Sequence, residues 1–192
     1  MNRKALAART AINWWRVTGW SIAGLLVLLP LAAMQVTREV AWTPADFAFA
    51  AVLIGAVGLT IEFAFRPQVS RAQRQGAVIL ALTCFALIWI NAAVGIIGAE
   101  DDPANIAYYA IVMVALLIAA IGRFRAVALE RGAGVAAVAM LVAAVFATAA
   151  AAPGYAPGTI AFHIVPAAAF AFAAILFRRA APLAQPSGEK RN

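Results

Sequence analysis

Asn91 and the only histidine, His163, each lie inside a long apolar run, and two acids, Glu100 and Asp101, closely follow the first. An amide, an imidazole and two carboxylates gathered at one level could hold a cation or a polar small molecule. The same groups could instead do acid–base work on lipid head groups, which requires the acids within reach of the imidazole. No spacing among them resembles a known catalytic constellation. Glu62, near the end of another apolar run, has Arg66 four residues on. It reads either as a helix-surface ion pair or as a proton or cation relay.

Other chemistries are excluded by residue type and place. Both lysines, Lys4 and Lys190, stand outside every apolar run, so there is no membrane-embedded Schiff-base lysine. A single histidine does not make a bis-histidine haem site. The one cysteine, Cys84, permits no internal disulfide and no multi-cysteine metal site, and leaves the redox compartment unreadable. Ser21, the serine within an apolar run, has no histidine at its depth, which argues against a serine–histidine hydrolase. Neither a phosphate-binding glycine loop, nor a dinucleotide fingerprint, nor an HExxH motif is present. No cofactor and no metal centre is expected.

The elements that must position these groups follow from composition. Of 192 residues 65% are apolar and 12% charged, with a mean hydropathy of +0.90. A soluble domain is nearer half apolar and a quarter charged, and a chain this short has too much surface to hide such an excess. Six apolar runs are long enough, or nearly so, to cross ~30 Å of hydrocarbon. They cover residues 17–36, 47–65, 76–98, 106–122, 132–152 and 159–177. In lipid each must be helical, because an open strand or loop would leave backbone groups unpaired. The expectation is one all-α transmembrane domain of six helices, with 178–192 as a polar tail.

The arginines orient it. Arg3, Lys4, Arg9 and Arg16 precede the first run, and Arg66, Arg71 and Arg74 lie between the second and third. Arg123, Arg125 and Arg131 lie between the fourth and fifth, and Arg178, Arg179, Lys190 and Arg191 follow the sixth. The remaining loops carry Arg38 alone. Basic residues in every second loop place both termini in the cytoplasm. The net charge of +7 is then a set of anchors for anionic lipid, not a nucleic-acid groove. On this map Asn91 lies ~10 Å and His163 ~6 Å below the outer surface by helical rise, near Tyr108 and Tyr109. Asn91, His163, Glu100 and Asp101 are therefore expected to line an outward-open cavity. The plainer alternative has Asn91 bonding a neighbouring helix and His163 anchoring at the interface.

Several conspicuous residues have local uses. Thr43-Pro44-Ala45-Asp46 reads as a capping box opening the second span, and Asp102-Pro103-Ala104-Asn105 as a cap for the fourth. Ala139, Ala143, Ala147 and Ala151 form a stripe along which another helix can pack closely. The short Pro153–Gly158 link makes the fifth and sixth spans neighbours. Pro30 and Pro166 interrupt the first and sixth. The first span is about twice as long as a cleaved signal segment, and Trp14, Trp15 and Trp20 resemble an interfacial belt, so it is expected to be retained.

The run Asn91 to Asn105, of pattern NAAVGIIG-x-ED-x-PAN, together with Trp42-Thr-Pro-Ala-Asp-Phe47, resembles small multi-pass bacterial inner-membrane proteins of no assigned activity. The resemblance covers about the middle third and implies a setting, not a function. Three classes stay open: a solute- or ion-handling, transporter-like protein; an accessory subunit, homo-oligomeric or packed on a partner; and a lipid-head-group enzyme. Three spans on either side of the acidic loop would also permit two inverted repeats. Labelling decides the topology: in a Cys84→Ala background, a thiol at position 101 should react with an impermeant reagent added outside intact cells. Reaction only after the inner face is exposed would overturn the map.

Overall fold

A computed structural model describes residues 13–97, 101–150 and 156–181. All regular structure among them is helical: α1 (Trp14–Val36), α2 (Pro44–Ala64), α3 (Arg71–Val94), a 3-10 turn (Pro103–Asn105), α4 (Ile106–Ile121), α5 (Ala126–Ala150) and α6 (Ala156–Ala180). All six helices are long and apolar enough to cross a membrane, α4 together with its 3-10 turn. The chain is an all-α, multi-pass membrane protein. Arg3, Lys4, Arg9, Gly98, Glu100, Ala151, the first half of the Pro153–Gly158 link, Lys190 and Arg191 lie outside the described residues.

The helices overrun the apolar stretches. α3 starts at Arg71 rather than Gly76, α5 at Ala126 rather than Gly132, and α6 continues through Arg178 and Arg179. A helix extended into the interface keeps its backbone hydrogen-bonded while long basic side chains reach water. For α3 the start is set by Ser70, whose hydroxyl accepts from the Gln73 N–H at 3.2 Å.

The chain packs as two compact units, Met1–Glu62 and Phe63–Asn192. Their boundary falls inside α2, where no polar linker marks it. The split is two helices and four.

In the first unit, the capping box forms as its spacing requires. The Thr43 N–H donates to Asp46 Oδ2 at 2.7 Å, and the Asp46 N–H returns to Thr43 Oγ1 at 3.4 Å. At the other end of α2 the Trp20 ring covers Gly58, where an added Cβ would lie 3.2 Å from Cη2 of the indole. A residue without a side chain lets the aromatic of α1 reach the α2 backbone.

In the second unit α5 packs most extensively on α6. α3 also lies on α6 and α4 on α5, while α3 and α4 touch sparingly. α5 and α6 are thus neighbours, as the short link between them requires. Cys84 and Leu87 from α3, Tyr108 and Val112 from α4, Met140 from α5 and Phe170 from α6 share the main core. A second cluster of Ala133, Ala173 and Phe177 lies toward the arginine-bearing ends of the helices. α5 buries Ala133, Ala136, Ala137 and Met140; of the alanine stripe, Ala147 is buried and Ala139 and Ala143 only half-buried.

Two close approaches fix helix spacing. A Cβ on Gly76 would meet the Phe177 ring at 3.0 Å, and one on Gly132 would sit 2.6 Å from the Ala115 carbonyl oxygen. The turn after α4 is equally tight: Phe124 N–H bonds to Ala119 O at 2.7 Å and Arg123 N–H to Ala120 O at 2.9 Å. This is a Schellman closure, usually made with glycine, yet Arg123 and Phe124 adopt it at φ of 56° and 55°. Gly132→Ala should push α4 from α5 and cost about 1–3 kcal/mol, read as a lowered unfolding midpoint in micelles. Gly134→Ala, where an added Cβ meets nothing within 4 Å, should leave it unchanged.

Candidate functional site

The polar groups of the second unit gather where α3 ends and α4 begins. α3 closes at Gly95, at φ 68°, whose N–H bonds to Asn91 O at 3.1 Å. The chain beyond is held by Asn105. Its Oδ1 accepts from the N–H groups of Ile96 and Ile97 at 3.0 and 2.9 Å, and its Nδ2 donates to Ile97 O at 3.1 Å. The Asn105 carbonyl accepts from Asn91 Nδ2 at 3.0 Å. Asp102 caps the 3-10 turn through the Ala104 N–H at 2.9 Å, as its position predicts. Asn91 and Asn105 are 1% and 3% exposed, so these bonds replace water for backbone that would otherwise have no partner. Asn91 Oδ1 is buried and accepts from nothing among the described residues.

His163 lies on α6 and is fully buried, not at the interface. Its Nδ1 stands 2.7 Å from the Thr159 carbonyl and its Nε2 2.7 Å from the Tyr108 hydroxyl. A carbonyl can only accept, so the proton sits on Nδ1, and Nε2 accepts from Tyr108. Both ring nitrogens are engaged, Nδ1 by the Thr159 carbonyl and Nε2 by the Tyr108 hydroxyl.

Glu62 differs from the i+4 expectation. It pairs with Arg16, 46 residues earlier, and its second oxygen accepts from Trp20 Nε1 at 3.0 Å. Arg66 instead lies 4.1 Å over the Phe63 ring. Tertiary packing brings the α1 guanidinium and indole to the carboxylate, and a cation on an aromatic face satisfies Arg66 locally. The carboxylate, with both oxygens taken, is a clamp between the ends of α1 and α2.

Asn91 and His163 are thus each bonded within the bundle, to Asn105 and to Tyr108. Asp101 is exposed, and no hydrogen bond or ion pair joins it to either among the described residues. Glu100 lies outside those residues. No group of three metal-ligating side chains occurs among the described residues. A groove of about 780 Å³ with apolar walls opens between α4 and α5. Asn105, Arg16 and Trp20 are partners that sequence reasoning missed. Asn105 stood at the end of a capping run, and Trp20 read as a membrane anchor.

Comparison with protein-family models, curated proteins and solved structures yields no match.

Tyr108→Phe should leave His163 Nε2 unpaired in an apolar bundle. The cost lies between the ~0.6 kcal/mol typical of membrane hydrogen bonds and the ~3 kcal/mol of a stranded buried acceptor. The unfolding midpoint should fall accordingly, while Tyr109→Phe should not move it.

Proposed function

We propose that this chain is a structural or accessory subunit of a bacterial inner-membrane assembly, with both termini in the cytoplasm. One observation carries the reading: the polar side chains that could have lined a permeation path bond to one another or to the chain's own backbone. Asn91 serves the Asn105 carbonyl, His163 serves Thr159 and Tyr108, and Glu62 serves Arg16 and Trp20. Such groups hold helices in register and present no polar wall to a solute. The alternation of arginines supports the orientation, and the resemblance of the 91–105 segment supports the setting.

A second reading, solute or ion handling, draws on Asn91 Oδ1, a buried acceptor with no partner among the described residues. A lone buried acceptor in lipid is where a permeant cation or water would bind. Reconstitution separates the two. As an accessory subunit, the purified chain in proteoliposomes should show no cation or proton flux above empty vesicles, and Asn91→Ala and His163→Ala should change nothing. Flux that either substitution abolishes would overturn the accessory role.

A further inference from the structure

We propose that the groove between α4 and α5 seats one anionic phospholipid, its phosphate at Arg125 and Arg131 and an acyl chain running along α5. The groove of about 780 Å³ has Ala107 and Ile111 on one wall and Val135, Val138 and Val142 on the other, with Arg131 at one end. A second opening of about 410 Å³ is lined by Arg125 and shares Arg131 with the first, so the two adjoin at that residue. Along α5 the lining runs from Arg131 to Phe146, ~22 Å by helical rise, which exceeds the ~15 Å depth of one leaflet's hydrocarbon. An acyl chain therefore fits lengthwise.

Charge selects the occupant. Both arginines are exposed, and neither forms an ion pair among the described residues. No acid lines either opening. A transmembrane helix from a second copy, laid in the groove, would cover Arg131 against apolar walls with no counter-charge there, which is costly. A phosphodiester supplies that charge at the level where a head group sits, and two guanidiniums can grip its oxygens. The small floor residues Gly134, Ala139 and Ala143 leave room for the chain below it.

The test measures retention of phosphatidylglycerol and phosphatidylcholine, matched in acyl chains, by the purified full chain in mild detergent, using native mass spectrometry. Arg131→Gln should lower phosphatidylglycerol affinity about fivefold, the worth of one basic residue at an anionic surface, and phosphatidylcholine affinity by less, because its choline cation already offsets the phosphodiester. Gly134→Leu fills the groove at a point where a Cβ meets nothing within 4 Å, so it should fold and lose both lipids. Arg178→Gln, on α6 outside the groove, should change neither. The proposal is overturned if Arg178→Gln matches Arg131→Gln, which would make the attraction diffuse. It is equally overturned if Gly134→Leu retains both lipids, or if it alters only the number of protomers, which would put a second copy in the groove. Because flux is not the readout, failure here leaves the accessory reading standing.

Discussion

Lipid offers no hydrogen bonds, and every turn of this structure answers to that fact. A backbone N–H or carbonyl left open in hydrocarbon costs several kcal/mol, so the six candidate crossings among the described residues are helices. The same demand acts where helices stop. The two isoleucine N–H groups beyond α3 find their acceptor in the Asn105 side chain, and the frayed start of α4 finds one in Asp102. The carbonyl at the end of α2, on Ala64, accepts from Arg74 Nε at 3.2 Å. At these three places a polar side chain sits where the backbone changes direction and serves that backbone.

Close packing is the second consequence. With no hydrophobic drive between helices already in lipid, association rests on contact and on small residues that allow it. Gly58 under Trp20, Gly76 against Phe177 and Gly132 against the Ala115 carbonyl each mark a place where two helices approach nearer than a side chain would permit. Polar ties then set the register: Arg16 and Trp20 to Glu62 in the first unit, Tyr108 to His163 in the second. Each tie joins residues distant in sequence and opposes sliding of the helices it links within its own unit.

What the sequence discloses follows the range of each interaction. The helices are legible because apolar runs are local and long, and their ends are blurred because helices continue into polar residues that hydropathy discounts. The Thr43–Asp46 box and the Asp102 cap were legible too, since capping acts within three residues. Asn91 and His163 stood out as polar groups in lipid, but their partners lie 14 and 55 residues away, a distance no periodicity encodes. Glu62 shows the error in its plainest form: the i+4 rule offered Arg66, whereas packing delivered Arg16. The unit boundary within α2 was illegible for the opposite reason, since nothing in composition changes there.

The turn between α4 and α5 constrains the two helices it joins. Only residues 122–125 separate the two helices, and their own backbone bonds close the turn, with Arg123 and Phe124 held in left-handed geometry. Such a link has no slack to let one helix reverse while the other stays. α4 and α5 are therefore joined as a stiff hairpin, with Arg123 and Arg125 in its closed end and Arg131 about a turn and a half into α5.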